Sequence, residues 1–149
     1  MRRWQATARR TRGFTLIELV VVMTIISILA GAVALQILNR TKHAKRARAL
    51  QDVSTLETAI DLYAADNGSP PTTQQGLQAL RTKPNSPPVP TNWNGPYIKK
   101  SPIDPWSNEY VYLFPGELNP DGYDVISYGE DGKPGGSNEF AQDITNADE

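Results

Sequence analysis

The sequence predicts an α+β fold: a long amino-terminal helix, membrane-spanning in its first half and amphipathic in its second, packed on a small antiparallel β-sheet with a Gly-rich carboxyl-terminal loop. Three observations predict it. Residues 14–38 form an apolar run whose only charge is Glu18. Beyond it Ala47, Leu50, Val53, Leu56, Ile60 and Tyr63 recur at spacings of three and four, as on a helix with one face on a core. Farther on, residues 109–114 and 123–128 are rich in Tyr, Val and Ile and read as two strands, joined through the turn signals Pro115-Gly116 and Asp121-Gly122.

Charge is unevenly placed along the chain. The first twelve residues carry five arginines (Arg2, Arg3, Arg9, Arg10 and Arg12) and no acid. A second basic cluster, Arg40, Lys42, Lys45, Arg46 and Arg48, follows the apolar run, and from Ala49 onward there are 15 acidic residues against five basic ones. Arginines beside a long apolar run fit the positive-inside asymmetry of a membrane span, and the acidic remainder repels phosphates. The pattern argues against nucleic-acid binding. There is no cysteine, so no disulfide stabilises the fold.

As a helix, the 25-residue apolar run would extend about 37 Å, enough for a hydrocarbon core of about 30 Å. It is longer than the roughly 7–15 apolar residues of a cleaved secretory signal and continues into helix-forming sequence without a break. Glu18 is its odd member, since a carboxylate costs about 2–3 kcal/mol near a membrane centre and less near an end. Two readings stand on the span alone. Glu18 either snorkels to the interface near the helix start, or pairs with a cation available only in an assembly.

No Pro or Gly lies between Ala32 and Asp66, so one helix is expected to continue to about Ala65 and stop near Asn67-Gly68, with Pro70 and Pro71 blocking continuation. Residues 71–80 then predict one short helix capped by Thr72 or Thr73. Residues 83–96 hold five prolines and predict an ordered meander or a flexible loop, without a regular element. His43, the single histidine, has no Ser or Cys partner in evidence, and Trp93 and Trp106 read as packing anchors. The cluster from Lys42 to Arg48 fits either a membrane surface or acids on a neighbouring subunit.

The segment Arg12-Gly13-Phe14-Thr15-Leu16-Ile17-Glu18 resembles the processing signal of type IV pilins and type II secretion pseudopilins. The resemblance implies a leader, residues 1–13, that stays in the cytoplasm and is cut between Gly13 and Phe14 by a membrane-embedded prepilin peptidase. Phe14 would then be N-methylated, and Glu18 would become the fifth residue of the mature chain. Cleavage creates a cation at Phe14, and an anion four residues along the same helix cannot easily fold back to it. Pairing with a neighbouring subunit would neutralise both charges. Further segments resemble the major type II secretion pseudopilin in particular: PTTQQGLQAL (71–80), GPYIKKSPIDPWSNEYVY (95–112), SYGEDGKPGG (127–136) and DITN (143–146). The implied fold is pilin-like.

Residues 128–139 are rich in glycine and in oxygen donors, which lets backbone and side-chain oxygens converge on a hard cation. The spacing is not that of an EF-hand, and a solvated acidic turn is the competing reading of the residues alone. The resemblance implies structural calcium here. Asp131 matches a carboxylate ligand, Asn138 and Glu139 lie where an acidic pair often sits, and Asp143 is a further ligand. Carbonyls near Tyr128, Lys133 and Gly136 would complete the shell. This chain departs from the family in having Asn138 where Asp is common and Leu35 about where a proline is common. It also has Ala147-Asp148-Glu149 where a Trp often closes the tail.

The expected organisation is a basic leader (1–13), a filament-core and membrane helix (14–38) and a periplasmic domain (39–149), anchored by one span in the inner membrane. The expected function is that of a non-enzymatic subunit of the type II secretion pseudopilus, a homopolymer with other pseudopilins. It would assemble on an inner-membrane platform to help push folded exoproteins through the outer-membrane secretin channel. A surface type IV pilus subunit is the alternative, against which the absence of a disulfide counts. A membrane-tethered periplasmic binding module or enzyme is the alternative of another class, and it should show a pocket with convergent polar groups.

Overall fold

The structure, a computed structural model, describes residues 13–148. The leader up to Arg12 and the side chain of Leu35 lie outside the described residues. The α+β expectation holds: one helix, α1 (Leu16–Asn67, 52 residues), is followed by three short strands, β1 (Val111–Leu113), β2 (Asp124–Ser127) and β3 (Ile144–Thr145). By internal contacts the chain divides into two units, Met1–Asn39 and Arg40–Glu149.

In the first unit α1 begins where Thr15 caps it: the Thr15 hydroxyl accepts the Glu18 N–H at 3.3 Å, satisfying one of the free donors of the first turn. The stretch Leu16–Val33 has a mean hydropathy of 2.6, and none of it is buried. Its hydroxyls turn inward on the helix, with Thr24 donating to the Val20 carbonyl and Ser27 to the Met23 carbonyl, each at 2.8 Å. Glu18 is therefore the one strongly polar group that the stretch leaves outside the helix backbone.

In the second unit α1 lays a single stripe on the core: Ala49, Val53, Leu56, Ile60 and Tyr63, at successive steps of four, three, four and three. The sequence reading had placed the stripe through Ala47 and Leu50, and this is corrected: both are exposed, Leu50 at 51%. Counting back in steps of three and four from Val53 reaches either Ala49 or Leu50, and these stand about 100° apart around the helix. The smaller residue faces the core. α1 ends at Asn67, and Gly68 follows with φ of 86°, its N–H returning to the Ala64 carbonyl at 2.7 Å.

A capping box organises the next segment. Thr72 Oγ1 accepts from the Gln75 N–H, and Gln75 Oε1 accepts from the Thr72 N–H, ahead of the 3-10 turn Leu77–Leu80. The meander is held by side chains: Gln75 Nε2 donates to the carbonyls of Ser86 and Pro88, and Trp93 Nε1 to that of Ala79, all at 2.9 Å. Trp93 and Trp106 both pack on the core, as expected of anchors.

The sheet order is β1-β2-β3, antiparallel throughout, with Tyr112 opposite Val125 and Ser127 opposite Ile144. Both foreseen strands are shorter than expected because their ends bond elsewhere. Phe114 exchanges its N–H and carbonyl with the Thr73 hydroxyl, at 2.8 and 3.1 Å, and so leaves the ladder. The Asp124 side chain, fully buried, accepts from the N–H groups of Glu117, Leu118 and Asn119 and shapes the connection between the strands. β3 was not foreseen. Beside it the Asn146 amide accepts from Val125 N–H at 2.8 Å and donates to the Tyr123 carbonyl at 3.0 Å, standing in for a strand partner of β2.

Three aspartates of α1 meet three tyrosines across the core. Tyr97 donates to Asp66 at 2.7 Å, Tyr123 to Asp61 at 2.9 Å and Tyr110 to Asp52 at 3.4 Å. Burial first, and the aspartate beside each hydroxyl second, hold the Tyr110 and Tyr123 pKa values above the ordinary 10.0. Tyr97 is raised by burial and by its bond to Asp66. Tyr112, which donates to the Pro71 carbonyl at 2.7 Å, is raised chiefly by burial.

Candidate functional site

Two places carry the predicted site residues. The first is the amino end of α1. Gly13 and Phe14 precede the helix, Thr15 caps it, and Glu18 sits in its first turn. The Gly13 to Phe14 bond therefore lies in non-helical chain. Phe14, at 83% exposed, and Glu18 are both presented outward. Thr15 went unremarked in the sequence reading. The signal was there: Thr-x-x-Glu ahead of an apolar run is a capping-box pattern.

The second place is the carboxyl-terminal loop between β2 and β3. It starts from a tied base: the Ser127 hydroxyl donates to Asp104 Oδ2 at 2.8 Å and accepts the Gly129 N–H at 3.3 Å. The Glu130 N–H then reaches the Phe140 carbonyl at 2.9 Å, joining the outgoing and returning limbs. Gly136, with φ of 131°, passes so close to the Ala141 carbonyl that a Cβ would collide with it.

The structure does not gather the four predicted ligands at one point. Asp131 Oδ1 accepts from the Lys133 N–H at 3.1 Å, in an exposed turn. Asn138 Oδ1 is taken by the N–H groups of Phe140 and Ala141, at 3.0 and 3.1 Å, so it caps its own turn. Glu139 points outward to His43, 3.7 Å away. Asp143 differs: Oδ2 accepts the Gly135 N–H at 2.9 Å, while Oδ1 is buried with no hydrogen-bond partner. Among the described residues no three Asp, Glu, His or Cys side chains form a metal-binding group. The orphaned Asp143 oxygen is the one polar atom of the loop that a hard cation would satisfy, whereas Asn138 and Glu139 are engaged elsewhere as they stand.

The basic cluster divides its contacts. Lys42 pairs with Glu130 at 2.9 Å, and Arg46 Nη1 donates to the Gln142 carbonyl at 3.2 Å. Arg48 lies 3.6 Å from Asp52, one helical turn on. No sequence signal pointed to the first two, since their partners lie far along the chain. A groove of about 440 Å³ beside α1 is lined by Arg48, Asp52, Leu56, Lys100, Ile103 and Tyr110. Its lining contains neither His nor Cys, and its Asp52 is already held by Arg48 and Tyr110.

Two family models match the chain along most of its length. Residues 8–34 match the model described as the prokaryotic N-terminal methylation motif, and residues 36–147 match that described as type II secretion system (T2SS), protein G. The chain is 48% identical to the type II secretion system core protein G of Pseudomonas aeruginosa, over 94% of this chain and 97% of that one. It is 43% identical to the protein of the same name from Escherichia coli K12, over 92% and 91% of the two chains. Among solved structures it resembles the major pseudopilin from the type 2 secretion system of enterohaemorrhagic Escherichia coli. That match has a TM-score of 0.63 and 38% identity, and covers 74% of this chain and 89% of the other. With a motif at the apolar helix and a family model over most of the remainder, the chain belongs to the type II secretion system protein G family, the major pseudopilins.

Proposed function

We propose that this membrane-anchored pseudopilin, a structural subunit of the pseudopilus, is made as a precursor. Its leader, residues 1–13, stays cytoplasmic while residues 39–149 face the periplasm. Prepilin peptidase cuts between Gly13 and Phe14, and Phe14 is methylated. Mature chains then leave the inner membrane on an assembly platform and polymerise with other pseudopilins. The growing rod pushes folded exoproteins toward the outer-membrane secretin channel. One observation carries this reading: an unburied apolar helix that starts two residues after the proposed cleavage bond and carries a single carboxylate in its first turn. Phe14 as a new amino terminus would supply the cation that Glu18 lacks within its own helix, and a neighbouring copy can present it where the same chain cannot. Heterologous packing of identical subunits that does not close into a ring gives a filament.

Calcium is proposed for the carboxyl-terminal loop, anchored on Asp143 Oδ1 with Asp131 and loop carbonyls as further oxygen donors. A bound cation there would satisfy the buried Asp143 oxygen and tie the two limbs of the loop together. Asn138 and Glu139, as expected ligands, would first have to leave their present partners.

The test is the intact mass of the protein from cells with and without the prepilin peptidase. Loss of residues 1–13 together with one added methyl group, only where the peptidase is present, is the expected result. An uncut chain in peptidase-containing cells would overturn the processing and assembly reading.

A further inference from the structure

Lys42, His43 and Arg46 stand on one turn of α1, and all three reach the carboxyl-terminal loop of their own chain. Lys42 Nζ lies 2.9 Å from Glu130 Oε2 and 5.5 Å above the Phe140 ring. The His43 ring meets Phe140 edge-on, with centroids 4.9 Å apart. Arg46 donates to the carbonyl of Gln142, the residue directly before Asp143. Contacts therefore fall on both limbs: Glu130 on the outgoing one, Phe140 and Gln142 on the returning one, already joined by the Glu130 N–H to Phe140 carbonyl bond. A basic run next to an apolar span would ordinarily face lipid headgroups or another subunit, yet here three of its cations are engaged within the chain, two of them with this loop.

We propose that Lys42 and Arg46 are positioning residues for this loop: they hold its limbs against α1 and fix the place of Asp143 Oδ1 before any cation arrives. Each contact is exposed and weak, shifting an equilibrium only a few-fold. Acting together on one loop they shift its opening by about tenfold. A cation that binds only the closed loop is bound more weakly as the closed fraction falls. That last step rests on the calcium reading above; the holding of the loop does not. Charge alone predicts the opposite sign, because removing two cations near a calcium site would strengthen calcium binding.

The experiment uses the full chain in detergent micelles and reads hydrogen exchange of the amides from 130 to 142 in chelator, then calcium affinity by calorimetry. Lys42→Ala combined with Arg46→Ala is expected to raise loop exchange about tenfold. Core amides from 53 to 63 should stay unchanged, and calcium affinity should fall. Lys42→Arg, which keeps the cation over Phe140 and opposite Glu130, is expected to exchange like the wild type. Unchanged loop exchange in the double variant, or unchanged exchange with tighter calcium binding, would overturn the proposal. Faster loop exchange in a protein whose wild type binds no calcium would support the positioning role and remove the calcium reading instead.

Discussion

Asp143 holds one buried carboxylate oxygen with no partner, an arrangement costing about 1–3 kcal/mol if nothing satisfies it. That cost sets a sign. In chelator, Asp143→Asn should be as stable as the wild type or more so, because the amide can keep the Gly135 bond while the unpartnered carboxylate oxygen is gone. With calcium at a hundredfold over its dissociation constant, the wild type should gain about 2.7 kcal/mol. The variant should gain nothing. Thermal unfolding of both proteins with and without calcium measures this, and an equal calcium-dependent gain in the two would place the cation elsewhere. The sequence showed which residues were oxygen donors but not which were available. Asn138 looked like a ligand by type and position, whereas its oxygen is consumed by two N–H groups of its own turn. Thr15 was readable as a cap from Thr-x-x-Glu, and Glu18 from its isolation in an apolar run.

Among elements, α1 shows how far periodicity alone can be trusted. Its stop at Asn67-Gly68, its continuity and its amphipathic second half were all legible, because Gly, Pro and a regular spacing are local signals. The rotational setting of the stripe was not, because Ala49 and Leu50 compete for one place and only the opposing residues decide. Substitution separates the two leucines. Leu56→Ala, at a position 5% exposed, should cost about 2–5 kcal/mol, whereas Leu50→Ala should change stability by less than about 0.5 kcal/mol. Denaturant unfolding of each variant checks the pair, and a large loss at Leu50 would mean that its face is covered. β3 escaped detection for another reason. Two residues are too few to display alternation, and half of their work is done by the Asn146 side chain, which carries no strand signature.

At the level of the whole molecule, the tyrosines make the second unit sensitive to alkali. Their folded pKa values are raised above 10.0, so the native state keeps protons that the unfolded chain gives up. That contribution is intact below pH about 10 and is lost as pH climbs through the raised values. Denaturant midpoints should hold steady to pH about 9.5 and fall beyond it. Tyr123→Phe, which lacks the hydroxyl beside Asp61, should show a shallower fall, and an unchanged slope would remove Tyr123 from the account. The family was legible at this scale because its signals are linear in the chain: a basic leader, an apolar run with one carboxylate, and short motifs in a fixed order. The grip of Lys42 and Arg46 on the loop was not, because it joins residues that only the fold brings together.

β2 also dictates an order of events. All four of its residues are buried, and among the described residues its second edge is covered by β3 and Asn146, which return after the whole Gly-rich loop. The connection to β3, residues 128–143, is longer than that from β1, residues 114–123, so pairing with β3 carries the larger closure cost. Until β3 docks, β2 is an unshielded edge on which a strand of another unfinished chain can pair. Crowding at the moment of renaturation therefore competes with completion of the sheet, and dilution favours the intramolecular partner.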